Sequence, residues 1–463
     1  MDLFSNLAIG FEAALSLQAL AYALLGCLLG TLIGILPGLG PLATISMLLP
    51  FTFGLDPLSA LIMLAGIYYG AAYGGSTTAI LVNMPGETSS AVTVIDGYQM
   101  ARQGRAGVAI ATAAIASFAA GTIGTLVLAI FVQPLASVAY SFGGAEYFSL
   151  ILCGLVAAVS IAAGSVLRAM GMILIGIQLS TVGTDLNSGV MRFTFGLPHL
   201  WDGIDFIVLA VGLFAICEVI AVLDQRSAAG GDTATAPINS LMPGRDDFRR
   251  MTPSIARGSA IGCLLGVLPG AGLSLASFFS YALEKRVSRN RHEFGRGAIE
   301  GVAGPEAANN AAAQTAFIPT LGLGIPGSPT MALMLGAMVM YNIQPGPQVM
   351  APNPELFWGL IASMWIGNLM LVILNLPLVG IWVRLLRIPY KHLLLAILLF
   401  CCIGAYSVAN SWIDVVFCAG FGALGYVFRK LECEPAPLLL GLAILVISGL
   451  PSISRRREKL AED

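Results

Sequence analysis

Four Pro-Gly breaks interrupt apolar stretches of the sequence. They lie in LPGLG at 36–40, NMPGETSS at 83–90, LPGAG at 268–272 and GLGIPGSPT at 322–330. Proline and glycine free backbone groups from helical hydrogen bonds, and a bilayer tolerates such groups only where protein or a water-filled cavity surrounds them. Helix N-termini that follow a break offer N–H groups to a carboxylate without a buried arginine. The breaks therefore favour a carboxylate site, and the alternative is that they only shape the helices.

A cluster of polar side chains in the second half is a candidate cation site. In AIEGVAGPEAANNAAAQTAF, Glu306 shares a helical face with Asn309 and with Asn310. A carboxylate beside two amides inside a membrane is typical of a cation or proton site, whereas the alternative is a helix outside the membrane with a hydrated polar face. Carbonyls and hydroxyls at the breaks offer further oxygen ligands. The predicted cation-binding residues are Thr88, Ser89, Asn309, Asn310, Thr320, Gly322 and Gly324.

The composition indicates that an integral membrane protein must position these residues. The 463 residues are 57% hydrophobic and 10% charged, whereas a soluble domain has about 25% charged residues. Continuous apolar runs exclude a transmembrane β-barrel, and a net charge of −2 excludes a basic nucleic-acid surface. We predict an all-α polytopic membrane protein with about 11 or 12 membrane-embedded segments. The cysteines and histidines indicate no metal site, and no cofactor is expected besides Na⁺ or H⁺ as coupling ion.

Two segments of the sequence repeat. GCLLGTLIGILPGLG at 26–40 and GSAIGCLLGVLPGAG at 258–272 are identical at eight of fifteen positions. The Pro-Gly pairs at 85–86 and 326–327 follow in the same order, 241 positions apart. Two motif pairs in one order indicate a duplication, which is frequent in transporters. The glycines four residues apart in both copies are typical of close helix packing.

The distribution of charge predicts that the two copies face opposite sides of the membrane. Arginine and lysine flank residues 258–283 at both ends, whereas residues 1–101 contain neither. Positive flanks lie on the cytoplasmic side, so the second copy is expected to be a re-entrant helical hairpin with about eleven residues in each arm. DGYQMARQGR at 96–105 is predicted to be a cytoplasmic loop. The predicted inverted-topology repeat consists of a first half at 1–223, a cytoplasmic linker at 224–257, a second half at 258–452 and a basic cytoplasmic tail at 453–463.

Long motifs of this sequence resemble a known family. They are LPGLGPLATISMLLPFTFGLDPLSALIMLAGIYYGAAYGGSTTAILVNMPGE at 36–87, DGYQMARQGRAG at 96–107, GVLPGAG at 266–272, GAIEGVAGPEAANNAAA at 297–313 and GLGIPGSPT at 322–330. Together they resemble the large membrane subunit of the tripartite tricarboxylate transporters over nearly the whole chain. After Pro435-Ala-Pro437 and Leu438–Leu442 the sequence departs from the usual family pattern, which leaves C-terminal contacts with a small subunit open.

The resemblance implies a multi-pass carrier of the bacterial inner membrane, working with a small membrane subunit and a periplasmic solute-binding protein. Such a carrier takes up carboxylates such as citrate, driven by a sodium or proton gradient and not by ATP. We expect a transport domain that carries both hairpins to move against a scaffold made of the remaining helices. Whether two copies of the chain form a homodimer is left undecided by the sequence. The predicted substrate-binding residues are Pro37, Gly38, Leu39, Gly40, Gly75, Ser76, Thr77, Thr78, Asn83, Gly86, Pro269, Gly270, Ala271, Gly272, Pro326, Gly327, Ser328 and Thr330.

Several rival functions stay open at this point. The substrate of a carrier is a citrate-like acid or a carboxylate of another class, such as an aromatic or sugar acid. A passive channel is the first rival, and accumulation above equilibrium would exclude it. An intramembrane enzyme is not expected, because the chain has neither H-E-x-x-H nor paired aspartates in a G-x-G-D context. A structural assembly subunit would tolerate loss of the hairpin glycines.

Overall fold

The computed structural model is almost entirely helical over the residues it describes. These are all residues except 1–2, 37–38, 140, 144, 147–148, 150–151, 153–158, 160–164, 186–187, 229–240, 269–271, 347–348, 350–351, 386–389, 440 and 443–463. A short antiparallel ribbon pairs Gly183–Thr184 with Met191–Arg192. The predicted all-α fold class is confirmed.

The first half contains nine helices that the structure describes with defined bounds. They are α1 (Leu3–Ala14), α2 (Leu17–Gly34), α3 (Pro41–Leu48), α4 (Pro57–Val82), α5 (Ala91–Met100), α6 (Ala106–Ala139), α7 (Val166–Ser180), α8 (Phe206–Ala210) and α9 (Cys217–Ala228). Short 3₁₀ helices lie at Leu49–Thr52 and Pro198–Leu200, and π-helical turns lie at Ala101–Arg105 and Val211–Ile216.

The second half continues with helices that the structure bounds in the same way. They are α10 (Arg245–Leu265), α11 (Gly272–Val287), α12 (Glu300–Thr315), α13 (Phe317–Leu323), α14 (Pro329–Met340), α15 (Pro354–Asn375), α16 (Val379–Leu385), α17 (Tyr390–Ala409) and α18 (Trp412–Lys430), with a 3₁₀ turn at Arg291–Glu293. Within the described ranges, six helical stretches are long and apolar enough to cross a membrane: Leu17–Gly34, Pro57–Val82, Ala91–Val138, Phe206–Asp224, Pro354–Asn375 and Trp412–Lys430.

The repeated glycines pack the same pair of helices together in each half. α2 lies along α4, and α10 lies along α12, with the glycines against the backbone of the partner helix. The contacts are Gly26 with Met63, Gly30 with Ile67, Gly34 with Ala71, Gly258 with Gly304, Gly262 with Ala308 and Gly266 with Ala312. Each contacted residue of α12 lies 241 positions after its counterpart in α4. The internal repeat of the sequence is therefore also a repeat of packing, as small residues four apart allow.

The equivalent helices α4 and α12 run in opposite directions. Ser76, late in α4, donates a hydrogen bond to Glu306 early in α12 at 2.9 Å. Tyr69, earlier in α4, donates to Gln314 near the end of α12 at 2.7 Å. This antiparallel crossing is the relationship that an inverted repeat predicts.

The second hairpin has longer arms than expected. Its first arm, α10, begins at Arg245 rather than near residue 258, and its second arm, α11, ends at Val287. The Asp247 carboxylate accepts a hydrogen bond from the Gly244 N–H at 3.0 Å, which starts α10 within the polar segment. The estimate of about eleven residues in each arm is thus wrong, because it counted apolar residues alone. Entry and exit of this hairpin on one face of the membrane stay a prediction.

The segment 96–105 is helical as far as Gln103, so the predicted loop is wrong for most of its length. The turn at Ala101–Arg105 connects α5 to α6, and Gly104, whose φ of 79° is not helical, separates the two helices. Asp96 is buried and accepts hydrogen bonds from the N–H groups of Gly295, Gly297 and Ala298 at 2.8–2.9 Å. These bonds fix α5 against the segment that leads into α12.

The basic regions of the two halves lie at one end of the molecule. Arg105 forms an ion pair with Asp247 at 2.7 Å, and Gln103 donates a hydrogen bond to the carbonyl of Arg296 at 2.6 Å. These contacts place the two regions side by side, and their location on the cytoplasmic side stays a prediction from their charge.

Candidate substrate and cation site

The break at residues 83–90, between α4 and α5, brings three predicted substrate-binding glycines together, and we call it the first break. α4 ends at Asn83, whose left-handed backbone (φ 60°) turns the chain out of the helix. A Cβ on Gly86 would lie 2.6 Å from the Cα of Gly75, and one on Gly40 would lie 2.7 Å from the Gly86 carbonyl oxygen. Only glycine permits such approaches. Gly86 therefore lies between Gly40 and Gly75.

The break at residues 322–330, between α13 and α14, has the same construction, and we call it the second break. α13 ends at Gly324, with a φ of 71°, and this residue lies 241 positions after Asn83. A Cβ on Gly327 would lie 3.0 Å from the carbonyl oxygen of Ala316, the counterpart of Gly75. The hydroxyl of Thr320 accepts a hydrogen bond from the Gly327 N–H at 3.3 Å. Both breaks are therefore fixed by backbone contacts to the helix that precedes them.

Several predicted residues of the second break have structural partners. Ser328 caps α14 by accepting a hydrogen bond from the Met331 N–H at 3.2 Å, and Thr320 donates to the Ala316 carbonyl at 2.7 Å. Gly322 packs against Leu135, and Gly324 packs against the carbonyl of Pro345. Pro326 and Thr330 are buried. Within the described part of the chain, no hydrogen bond joins this break to Glu306.

Some predicted residues lie outside the described residues, at both hairpin tips. They are Pro37, Gly38, Pro269, Gly270 and Ala271. The neighbouring Leu39 and Gly272 are described, and both are buried.

Three helices direct hydroxyl groups at the Glu306 carboxylate. Ser76 of α4 donates at 2.9 Å, Thr93 of α5 at 2.5 Å and Ser117 of α6 at 3.4 Å. Every residue of α12 is buried, so the alternative of a hydrated polar face is wrong. Asn310 shares the face of Glu306 and donates to Ser117 at 2.7 Å. Among the described residues, no lysine or arginine pairs with Glu306, and hydroxyls are the groups that hydrogen-bond to its carboxyl oxygens.

The other two predicted threonines of this stretch differ in their surroundings. Thr77 lines a cavity beside Glu306, whereas Thr78 donates to the Gly75 carbonyl of its own helix at 2.9 Å. Ser76 and Thr77 also donate to carbonyls of their own helix, at 3.3 and 3.2 Å, so what distinguishes them from the fully buried Thr78 is their place in the cavity lining. Ser76 and Thr77 are thus the members of the Ser76–Thr78 group that a ligand near Glu306 would meet.

The first break also contacts the second hairpin and α12. Asn309 donates a hydrogen bond to Glu87 at 3.1 Å, and the hydroxyls of Thr88 and Ser274 lie 2.8 Å apart. The Asn309 Oδ1 and the Ser89 hydroxyl are buried and have no partner among the described residues. Acceptors and hydroxyls from both halves therefore meet beside the first break.

A small cavity lies between α4, α6, α12 and α15. Its polar lining consists of Tyr73, Ser76, Thr77, Ser117, Glu306 and Asn375. Its volume of about 10 Å³ is the space of about one water molecule. A di- or tricarboxylate does not fit in this conformation, whereas a water molecule or a small cation does.

Sequence reasoning missed four polar contributors to this site. Thr93, Ser117, Asn375 and Glu87 were not among the predicted site residues, although Glu87 belongs to the NMPGE motif. Ser117 and Asn375 are polar residues within largely apolar helices. A polar side chain inside a membrane helix is a functional signal by default, and this signal could have identified both.

Comparisons with known proteins agree with the resemblance in the sequence. Residues 20–440 match the model of the family described as "Tripartite tricarboxylate transporter TctA family". The chain is 56% identical over 444 residues to an "Uncharacterized 52.8 kDa protein in TAR-I ttuC' 3'region" of Agrobacterium vitis, covering 96% of the chain and 88% of that protein. It is 62% identical over 183 residues to an "Uncharacterized protein in TAR-II ttuC' 3'region" of the same organism, covering 40% of the chain and 76% of that protein. No solved structure matches the chain significantly.

Proposed function

We propose that this chain, which belongs to the tripartite tricarboxylate transporter TctA family, imports di- and tricarboxylates by cation-coupled alternating access. The chain is a multi-pass protein of the inner membrane and a subunit of a carboxylate transporter. The family implies a small membrane partner and a periplasmic binding partner. The citrate-like substrate, the coupling cation and the delivery of substrate by the periplasmic partner are the proposed details.

One observation carries this proposal beyond family membership: the first break contacts the second hairpin and α12 directly. Thr88 meets Ser274, and Glu87 accepts a hydrogen bond from Asn309. Transporters built from two repeats bind substrate and coupling ions where broken helices of both repeats meet. This junction is therefore where we place the carboxylate.

Binding would use the backbone rather than a buried basic residue. The N–H groups near Gly40, Gly86, Gly272 and Gly327 follow helix breaks and precede helices, so they favour a carboxylate by hydrogen bonding and by the helix dipole. The breaks need glycine for close approach, as Gly75 and Gly86 show. In alternating access, the two hairpins and breaks would move as one body against the remaining helices.

The cavity beside Glu306 sets a condition on this mechanism. It has room for about one water molecule and not for a carboxylate substrate. The carboxylate is placed instead at the junction of Thr88 and Ser274, and we propose that this junction opens by a local separation of the first break from the second hairpin within the moving body. This step gives the Thr88–Ser274 contact a direct role in closing the site.

The test is uptake into vesicles that contain the complete transporter. Labelled di- and tricarboxylates are compared under separately imposed Na⁺ and H⁺ gradients, and accumulation above equilibrium is expected under one of them. A channel would only equilibrate the label.

Replacing Pro326-Gly327 with Ala-Ala should abolish uptake without loss of membrane insertion. The N–H groups that the break leaves free would then form helical hydrogen bonds and would no longer be offered to the carboxylate. Full uptake by this variant would reject the backbone site.

A further inference from the structure

The cavity beside Glu306 contains an amide oxygen that has no donor. Asn375 is 3% exposed, and its Nδ2 donates a hydrogen bond to the carbonyl of Leu371 at 2.9 Å. This bond fixes the orientation of the amide, so the opposite atom is the oxygen. The Oδ1 is buried without a partner among the described residues, and Asn375 lines the cavity. Because this buried acceptor lines a cavity, a water molecule or a cation placed there would satisfy it.

The other polar groups of the cavity are also oxygen atoms. The Glu306 carboxylate is 1% exposed and can only accept hydrogen bonds when ionised. The hydroxyls of Ser76 and Ser117 donate their hydrogens to it. Ser76 keeps two lone pairs for a further partner, whereas Ser117 keeps one, because it already accepts a hydrogen bond from Asn310 at 2.7 Å. Thr77 adds a third hydroxyl to the lining. One negative charge and several neutral oxygens thus surround a space of about 10 Å³.

We propose that this cavity is a sodium site, formed by Glu306, Asn375, Ser76, Ser117 and Thr77. Hard cations take oxygen ligands of these types, and a single carboxylate balances one positive charge. A protonated Glu306 together with one water molecule in the cavity would also satisfy both groups, and the comparison of NaCl with KCl described below distinguishes that arrangement from a sodium ion. A water molecule beside an ionised Glu306 would satisfy the Asn375 oxygen but would leave the negative charge uncompensated. Among the described residues, no lysine or arginine pairs with this carboxylate.

The position of this site explains how sodium would couple to the substrate. Ser76 and Ser117 belong to the first half, whereas Glu306 and Asn375 belong to the second. The same α12 that carries Glu306 also carries Asn309, which contacts Glu87 at the first break. Sodium bound at the cavity would therefore stabilise α12 in the position that closes the break. This inference rests on the proposed cation-coupled transport and names its ion and ligands.

The first experiment measures sodium binding without transport. The purified chain in lipid nanodiscs is heated while NaCl replaces KCl at constant ionic strength, and sodium is expected to raise Tm with saturation. Glu306→Gln and Asn375→Leu should each raise the half-saturating sodium concentration by about 10- to 100-fold, because each variant loses one ligand of the ion. The matched control is Thr31→Val, because Thr31 is buried with an unpartnered hydroxyl in α2 and does not line the cavity. It should keep the wild-type sodium response.

Each other outcome overturns the inference. A wild-type Tm equal in NaCl and KCl would show that the cavity holds water only. A normal sodium response of Asn375→Leu would place the ion elsewhere. If Glu306→Gln fails to fold, the sodium dependence of Tm in Asn375→Leu and Ser76→Ala tests the site instead, since both variants keep the Glu306 carboxylate. A normal sodium response in both would reject the site.

Uptake by the complete transporter separates this inference from the proposed function. Carboxylate uptake driven by H⁺ alone, without sodium binding, would reject the sodium site and leave carboxylate import standing. Sodium binding lost in Asn375→Leu, together with no uptake of any carboxylate, would keep the site and reject the proposed function.

Discussion

Arg257 and Glu284 form a two-point ion pair that joins the arms of the second helical hairpin. The Nε–Oε1 and Nη2–Oε2 distances are both 2.7 Å, and the Glu284 side chain is fully buried. Because water does not reach Glu284, its charge depends on this guanidinium. The pair therefore fixes how α10 and α11 lie against each other beneath the tip.

Removal of Arg257 should loosen the hairpin. Arg257→Gln leaves the Glu284 charge buried and uncompensated, and we expect the free energy of unfolding to fall by about 3 kcal/mol, the lower end for a buried pair. The lower end applies because the Arg257 side chain is 34% exposed. The measurement is chemical or thermal unfolding in detergent. The double variant Arg257→Gln, Glu284→Gln should regain part of the loss, and equal stability of the single and double variants would contradict the prediction.

Asp96 should hold the segment before α12 against α5. Its carboxylate accepts three backbone hydrogen bonds and a fourth from the Tyr281 hydroxyl at 2.9 Å. Asp96→Ala leaves these donors buried without a partner, so we expect a loss of about 3 kcal/mol or more. The freed segment contains Arg289, Arg291 and Arg296, so limited trypsin digestion should cut there faster.

The matched control for this experiment is Asp246→Ala. Asp246 is exposed in the first turn of α10, and its removal should leave the trypsin pattern unchanged. Asp96→Asn should fall between the two, since an amide oxygen still accepts from N–H groups. An unchanged digestion of Asp96→Ala would show that other contacts hold the segment.

The helix breaks could be predicted from the sequence because proline and glycine act locally. Asn83 and Gly324 end their helices by their own backbone angles, and the glycine repeat fixes its own spacing on a helix. The surroundings of Glu306 could not be predicted in the same way. Its donors Ser76, Thr93 and Ser117 lie about 190 to 230 positions earlier in the chain, and only helix packing brings them together.

The wrong prediction at 96–105 has a similar cause. Its charged and polar residues and Gly104 are typical of a loop. Asp96 is nevertheless buried, because backbone N–H groups at 295–298 satisfy its carboxylate. A partner about 200 positions away thus overrides the local pattern, and one sequence alone does not reveal that partner.

Close packing of α10 on α12 should tolerate no side chain at Gly262. A Cβ there would clash with the carbonyl oxygen of Ala308, which is backbone and cannot move freely. We expect Gly262→Ala to lower the free energy of unfolding by about 1–3 kcal/mol, as in other overpacked interiors. The control Gly420→Ala lies in α18 with nothing within 4 Å of its Cβ, and it should be neutral or stabilising by up to about 1 kcal/mol. Thermal unfolding in detergent measures both, and equal values would reject the packing role.

The contact between the first break and the second hairpin should open during transport. The Thr88 and Ser274 hydroxyls lie 2.8 Å apart, so cysteines at these positions are expected to form a disulfide under mild oxidation, with small adjustments of the backbone. If the carboxylate site opens by separation of these elements, the cross-linked Thr88→Cys, Ser274→Cys transporter should lose uptake by more than about tenfold, and a reductant should restore it. Each single cysteine variant, oxidised in the same way, controls for modification of the native cysteines. Full uptake by the cross-linked protein would show that the break and the hairpin move together, and the site would then have to open elsewhere.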